Sequence, residues 1–365
     1  VPAAAQAMLA DDLTLASVEH FVGNIENMIG TVKVPVGVIG PLRINGVFAL
    51  GDYFVPLATT EAALVASYAR GANAAGKAGG ISVATLGEGV LRTPAFRFAS
   101  IGDAGLFVNW VVGHADSLVA AAETTTHHGK LLSIDPVIDG EIVFLMCRYD
   151  TGDAAGQNMV TFATDALCRE ALDAAPVKPK AWFLEANFSG DKKASFLGTT
   201  LGRGRRVTAQ VEVPAAIVES VLAVSIDQIL EYGRIANLGA LMSGQIGAQA
   251  HFANGLAALY LATGQDVACV AESAVGFTRM EATETGLLVT VTLPNLMLGT
   301  VGGGTGLPSQ SACLDVLGLK GAGKAAALAE VAAALCLCGE LSLTAAVAGG
   351  QFGSAHKRLA RERKP

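Results

Sequence analysis

Two adjacent lysines and an aspartate, Asp191-Lys192-Lys193, close the polar stretch that begins Asn187-Phe188-Ser189-Gly190. Apolar runs flank it, Ala181-Trp182-Phe183-Leu184 before and Ala194-Ser195-Phe196-Leu197 after. Such a loop has a rigid scaffold on both sides and charge at its tip. Ser189 and Gly190 supply its turn chemistry. A lysine held near apolar walls stabilises a developing oxyanion far better than it could in water. Read alone, the same triplet is a solvated turn, so its meaning rests on the rest of the chain.

Glu61 follows Thr59-Thr60 and precedes an apolar run containing Ala62, Leu64, Val65, Ala66 and Ala69. With Thr60 as cap, the pattern predicts a helix with Glu61 in its first turn. There a carboxylate favours the helix dipole. A buried carboxyl at the same place would have a raised pKa and could donate a proton. Both readings stay open. Arg92, just before Thr93-Pro94, is placed to hold a carboxylate in bidentate fashion, or to make an ordinary surface ion pair. His251 and Asn254 lie in a Gly/Ala-rich stretch predicted as one helix over 238–261, where a histidine is more often a core residue than a catalytic one. Asp266, in Gly264-Gln265-Asp266, falls near a helix C-terminus, where the dipole disfavours it. That placement hints at a special partner. Thr151-Gly152-Asp153-Ala154-Ala155-Gly156-Gln157-Asn158-Met159 sets glycines before a helix, the ingredients of a phosphate cradle. It lacks the three-glycine dinucleotide spacing and by itself reads as a capping turn. Gly302-Gly303-Gly304 lets a backbone come near a ligand or another chain.

The elements that must position these groups come from 365 residues, 52% hydrophobic and 16% charged. That length and composition predict two packed domains, or one large domain carrying an insertion. Short helices are expected over 3–21. Extended chain over 34–42 leads to a hairpin turn at Asn45-Gly46 and a strand over 48–55. Between 100 and 180 the texture changes to a helix over 108–122, strands over 130–135 and 141–147, and a helix over 157–175. This reads as a small inserted α+β domain. Beyond the lysine loop, 203–213 and 286–298 read as strands, and 217–232 and 325–348 as helices.

The net charge of −7 and the lack of a basic stripe exclude a nucleic-acid-binding face. The basic tail from His356 to Lys364 reads as a solvated helix end. No secretory signal or membrane-spanning segment is expected. The six cysteines lack a paired metal-ligand pattern, so no metal is expected. A soluble, reduced, cytoplasmic protein follows as the expectation.

Taken in order, the motifs resemble the hydroxymethylglutaryl-coenzyme A (HMG-CoA) reductase family. They are Glu26-Asn27-Met28-Ile29-Gly30 with Pro35-Val36-Gly37-Val38, Ala58-Thr59-Thr60-Glu61, Gly152 through Met159, Asp191-Lys192-Lys193, Gly264-Gln265-Asp266 and Gly299-Thr300-Val301-Gly302-Gly303-Gly304-Thr305. The resemblance runs from Glu26 to His356 and covers the catalytic portion, without the membrane anchor of the animal and fungal enzymes. It implies an α+β fold in which a large helix-rich substrate-binding domain carries an inserted small α+β dinucleotide-binding domain. The implied boundaries are an N-terminal helical segment over 1–30, the HMG-CoA domain over 31–98 and 185–345, the NAD(P) domain over 99–184, and a C-terminal flap over 346–365.

The resemblance further implies reduction of HMG-CoA to mevalonate and free coenzyme A by two hydride transfers, a step of isoprenoid biosynthesis through mevalonate. Glu61 would be the proton donor and Lys192 the oxyanion stabiliser. Asp266 would lie between them and tune both, and His356 would protonate the departing thiolate. Arg92, Asp191 and Lys193 would hold the substrate carboxylate, with Asn254 and His251 in support, and Ser67 and Arg70 would face coenzyme A. Asp153, Gly156, Gln157 and Asn158 would line the dinucleotide site. Thr126, His127 and Lys130 lie where the animal enzymes bind the adenosine phosphate. A basic group there without an acidic neighbour points to NADPH, with NADH as the other candidate. A homo-oligomer, at least a dimer with its active site between subunits, is also implied. Ala194 replaces a usual proline, Glu185 replaces a substrate-contacting serine of the animal enzymes, and Gln157 replaces a common methionine. Two other readings remain, NAD-dependent oxidative acylation of mevalonate by the same site, and a non-catalytic acyl-coenzyme A binder.

Overall fold

The structure, a computed structural model, describes residues 2–353, so His356 and the rest of the basic tail lie outside the described residues. Alternating β-branched and aromatic residues form strands along the whole chain. They are β1 (Val36–Gly46), β2 (Leu50–Ala58), β3 (Ile81–Arg92), β4 (Ala95–Arg97), β5 (Lys130–Asp139), β6 (Ile142–Asp150), β7 (Ala181–Phe183), β8 (Gly204–Pro214), β9 (Gly247–Ala248), β10 (Gly276–Ala282) and β11 (Gly286–Leu296). The predicted hairpin joins β1 and β2, with Asn45 opposite Leu50. β3 joins the two halves of the sheet. Its residues Ser82 to Gly89 pair antiparallel with β8, and Val90 to Arg92 pair with β6. From β8 the sheet continues through β11 and β10 to β9. From β6 it continues to β5 on one edge and through β4 to β7 on the other. Helices Ile101–Gly113, Ala115–Glu123 and Gln157–Ala174 belong to the β6 half. This is a mixed α+β fold in which most of the buried apolar side chains form one continuous cluster.

The Ala/Leu-rich run forms helix Ala325–Ala348, 24 residues long. It is long and apolar enough to cross a membrane, but most of it is buried inside the protein as core. Two glutamates interrupt its apolar surface, Glu330 at 0% and Glu340 at 1% exposure. A buried carboxylate is tolerated only when its oxygens are hydrogen-bonded. Glu330 accepts from Phe48 N–H (2.9 Å) and Ala49 N–H (2.7 Å), closing the β1–β2 turn. Glu340 accepts from the backbone N–H groups of Ala250 (2.9 Å) and His251 (2.9 Å) and from the Thr278 hydroxyl (2.7 Å). The core helix therefore anchors two loops through their backbones. Helix Leu64–Lys77 crosses it at Gly71, where a Cβ would lie 2.0 Å from the Cys338 carbonyl oxygen. Only glycine permits that approach.

Several helical expectations are corrected. The stretch 238–261 is two helices, because Gly244 (φ +72°) ends Ile226–Ser243 in the left-handed region. β9 intervenes before Phe252–Thr263 begins. Likewise 217–232 breaks at Ala223 (φ +54°), after which Ser225 and Gln228 start a new helix with a reciprocal capping box. The helix expected over 108–122 is two, bent by 71°. At the break, the His114 ring stacks on Trp110, and its Nδ1 lies 2.9 Å from the Trp110 carbonyl oxygen. Glu61 is outside any helix, since Ala63 (φ +72°) delays the helix start to Leu64.

Replacing Glu330 by leucine strands the Phe48 and Ala49 N–H groups. Glu330→Leu is expected to lower stability by about 2–4 kcal/mol in urea denaturation, and Glu330→Gln, which keeps an acceptor, by less. Equal stability of Glu330→Leu and the parent would show that the carboxylate does not anchor the turn.

Candidate active site

The lysine loop is bent out of ordinary backbone geometry. Asn187 (φ +62°) and Lys192 (φ +55°) are left-handed without being glycine. Such positions persist only where the surroundings hold them. Glu272 Oε2 accepts the Lys192 N–H at 3.1 Å. Glu272 Oε1 pairs with Arg203 Nη1 at 2.7 Å, both side chains being 2% exposed. Burial pushes the Glu272 pKa up, and Arg203 pulls against that rise. Arg203 Nη2 reaches both Asp191 Oδ1 (3.1 Å) and Gln157 Oε1 (2.7 Å). From the other side, Arg92 Nη1 contacts Asp191 Oδ2 and Glu185 Oε2, each at 3.1 Å. Arg92 is thus a buried ion-pair partner, and Asp191 is pinned by two guanidinium groups. Lys193 Nζ donates to the Asp191 carbonyl at 2.9 Å.

Lys192 Nζ meets Asp266 Oδ2 at 2.8 Å, with the side chains 43% and 41% exposed. This hydrogen bond holds the Lys192 pKa above the ordinary lysine value, so the ammonium stays charged. Asp266 Oδ1 accepts from Ala268 N–H at 3.0 Å and caps the short turn Val267–Cys269. The aspartate therefore opens a new turn, which removes the dipole objection to its position. Gln265 anchors the same bend, donating to the Gly299 carbonyl (2.9 Å) and accepting from its N–H (2.7 Å).

In the single chain Glu61 is exposed. Asn254 Nδ2 donates to both of its oxygens, at 3.2 and 3.0 Å. His251 stacks on Tyr68 with ring centroids 5.9 Å apart. Desolvation pulls the His251 pKa below its ordinary value, against Glu340 and Glu61, which push it up. The ring is therefore mostly neutral near pH 7. Asn254 opens helix Phe252–Thr263, whereas Asp266 follows its end. Between Asn254 and Thr263 runs about 14 Å of helix. Within one chain, Glu61 and the Lys192–Asp266 pair are thus held toward opposite ends of that helix, and of the two, Asp266 is bonded to Lys192.

The Thr126 hydroxyl accepts from the N–H groups of His128 (3.1 Å) and Gly129 (3.0 Å) and donates to Met159 Sδ (3.1 Å). The 126–130 turn therefore lies against the start of helix Gln157–Ala174. His127, Lys130 and Asn158 are exposed there. Gly156 (φ +79°) precedes that helix, which has no side-chain cap. The Asp153 carboxylate is engaged elsewhere, accepting from Gly323 N–H (2.6 Å) and Ala325 N–H (3.1 Å) at the start of the core helix. Gln157 is held by Arg203 and donates to Cys269 Sγ at 3.2 Å. Ser67 and Arg70 both bind Ser342 of the core helix at 3.0 Å. In the glycine-rich loop, Gly299 and Gly304 pack on this chain's own backbone, whereas a Cβ on Gly302 or Gly303 would meet open space. Sequence reasoning missed Arg203 and Glu272. Arg203 reads as the first of a basic strand run, and nothing in the spacing marks Glu272.

A sequence profile described as hydroxymethylglutaryl-coenzyme A reductase matches residues 4–361. The chain is 43% identical to the 3-hydroxy-3-methylglutaryl-coenzyme A reductase of Methanothermobacter thermautotrophicus, over 93% of this chain and 85% of that one. It is 44% identical to the enzyme of the same name from Haloferax volcanii, over 92% and 85%. The fold is similar to the class II 3-hydroxy-3-methylglutaryl-CoA reductase of Streptococcus pneumoniae, solved bound to NADPH in open conformations. That match has a TM-score of 0.72 at 19% identity and covers 94% of this chain and 95% of that one.

Removing Arg203 leaves Glu272 as a buried, undercompensated carboxylate and takes one of two guanidinium partners from the partly buried Asp191. Arg203→Ala is expected to lower unfolding stability by about 3–5 kcal/mol, with Glu272→Gln intermediate. A change below about 1 kcal/mol in thermal or urea unfolding would mean that the network does not brace the loop.

Proposed function

The chain belongs to the hydroxymethylglutaryl-coenzyme A reductase family, oxidoreductases that convert HMG-CoA to mevalonate, and we propose that the residues above divide that work as follows. Two reduction steps build negative charge on oxygen twice, so each needs a fixed cation and a proton source. Lys192, kept charged by Asp266, supplies the cation. Glu61, oriented by Asn254, with His251 nearby in support, supplies the proton. His356 serves the departing thiolate, since histidine can donate near neutral pH. Arg92, Asp191 and Lys193 hold the distal carboxylate, and Ser67 and Arg70 edge the coenzyme A path. The observation that carries this reading is the 2.8 Å Lys192–Asp266 pair on a loop fixed by buried ion pairs.

The inserted segment over 99–184 is the proposed dinucleotide-binding part. Its residues fit a phosphate-bearing cofactor. The uncapped helix start at Gly156 and Asn158 favours an anion, and Thr126, His127 and Lys130 lie beside it. Asp153 and Gln157 brace this junction through the bonds described above. When bound, the nicotinamide supplies the hydride. The exposed Lys130, with no carboxylate in its turn, supports NADPH over NADH.

A homodimer is proposed on the same grounds. Electrostatic catalysis needs a water-excluded site. In one chain, however, Lys192 and Asp266 are about two-fifths exposed and Glu61 stands apart from them. A second subunit would bring Glu61 of one copy to Lys192 of the other and cover both.

Purified protein given HMG-CoA is expected to oxidise two dinucleotides per mevalonate formed, with higher kcat/KM for NADPH. Lys192→Ala should lose on the order of 10²–10³ in kcat while staying folded. No substrate-dependent loss of nicotinamide absorbance with either dinucleotide would defeat the reading. Co-refolding Glu61→Gln with Lys192→Ala chains should restore activity that neither variant has alone. No restoration would place the whole site within one chain.

A further inference from the structure

Arg92 carries one positive charge and already faces two carboxylates. Its Nη1 lies 3.1 Å from Glu185 and 3.1 Å from Asp191, and its side chain is 8% exposed. Its Nε is also buried, with no hydrogen-bond partner among the described residues. The two carboxylates are not equally fixed. Asp191 is 17% exposed and held a second time by Arg203. Glu185 is 28% exposed, and its ion pair is to Arg92. Its other oxygen accepts the Asn187 N–H at 2.8 Å, a local bond within its own turn. A third carboxylate, arriving on a substrate, would add negative charge around a single guanidinium. Like charges crowded in this way repel strongly where solvent is scarce.

We propose that Glu185 is a specificity-determining residue that occupies Arg92 as an internal carboxylate and must swing out before the distal carboxylate of HMG-CoA can bind. Asp191 cannot play that part, because leaving would strip Arg203 of a partner in the core. Glu185 can, because its turn opens toward solvent. The exchange replaces one Arg92–carboxylate pair with another, so Glu185 weakens substrate binding without touching the reacting carbonyl. This inference rests on the reading that Arg92 holds the substrate carboxylate.

The test is Glu185→Gln beside Arg92→Ala, each checked by thermal melt. Glutamine keeps an oxygen for the Asn187 N–H and removes the charge. The KM for HMG-CoA should fall about two- to fivefold in Glu185→Gln, the worth of a partly exposed ion pair, with kcat within about twofold. The Kd of free 3-hydroxy-3-methylglutarate, measured by calorimetry, should fall in parallel, and the KM for NADPH should not move. Arg92→Ala should raise the KM for HMG-CoA. If Arg92→Ala raises it but Glu185→Gln leaves both KM and Kd unchanged or higher, Glu185 is no competitor and the inference is overturned while the Arg92 reading stands. If Arg92→Ala leaves the KM unchanged, the Arg92 reading falls and the inference falls with it.

Discussion

A buried guanidinium cannot shed its charge, so the chain around Arg203 has to supply acceptors from wherever they can be brought. They come from three places, Glu272 after helix Phe252–Thr263, Asp191 in the lysine loop, and Gln157 at the start of helix Gln157–Ala174. One side chain thus fixes the relative position of the loop proposed to carry catalysis, the segment proposed to carry the dinucleotide, and the turn that presents Asp266. Buried ion pairs are poor sources of stability, because desolvation offsets the attraction. Their effect here is geometric. Asp191 and the backbone of Lys192 have little freedom, because each alternative position would leave a charge in the core unpaired.

The same device recurs in the core helix with the sign reversed. Glu330 and Glu340 are buried carboxylates satisfied mainly by backbone N–H groups of loops far away in sequence. One closes the β1–β2 turn, and the other fixes the residues that lead into His251. An entirely apolar helix would fill the same volume without registering those loops. In both networks a polar group set into an apolar interior specifies position, which packing alone does less sharply.

What the sequence made legible was local. The β1–β2 hairpin, the helix over 157–174 and the turn chemistry of the lysine loop depend on neighbours within a few residues, and they lie where the pattern put them. Asp266 stood out because its position looked unfavourable. It does have a partner in Lys192, although it caps a turn of its own and so never opposed a helix dipole. The Gly/Ala-rich stretch over 238–261 shows no break in its sequence pattern, because small residues carry little periodicity and Gly244 is one glycine among several; the break at Ala223 is a single left-handed residue inside an apolar run and equally leaves no trace. The exposure of Glu61 was hidden for a related reason, since a single left-handed residue, Ala63, moved the helix start beyond it. Arg203 and Glu272 were invisible because the burial of a charge is a property of the tertiary fold. Within its own few residues, Arg203 is indistinguishable from Arg206 in the same basic run.

The core helix comes after all eleven strands in chain order. A ribosome therefore delivers the complete sheet before the element that fills its apolar face. Until Ala348 has cleared the exit tunnel, the β1–β2 turn lacks Glu330, the approach to His251 lacks Glu340, and helix Leu64–Lys77 has nothing to cross at Gly71. Folding during synthesis can gather the strands but cannot close them, so the nascent chain passes through a period with its greasiest surface uncovered. The arrangement that later makes the interior so well specified also makes its central helix later to emerge than every strand it covers.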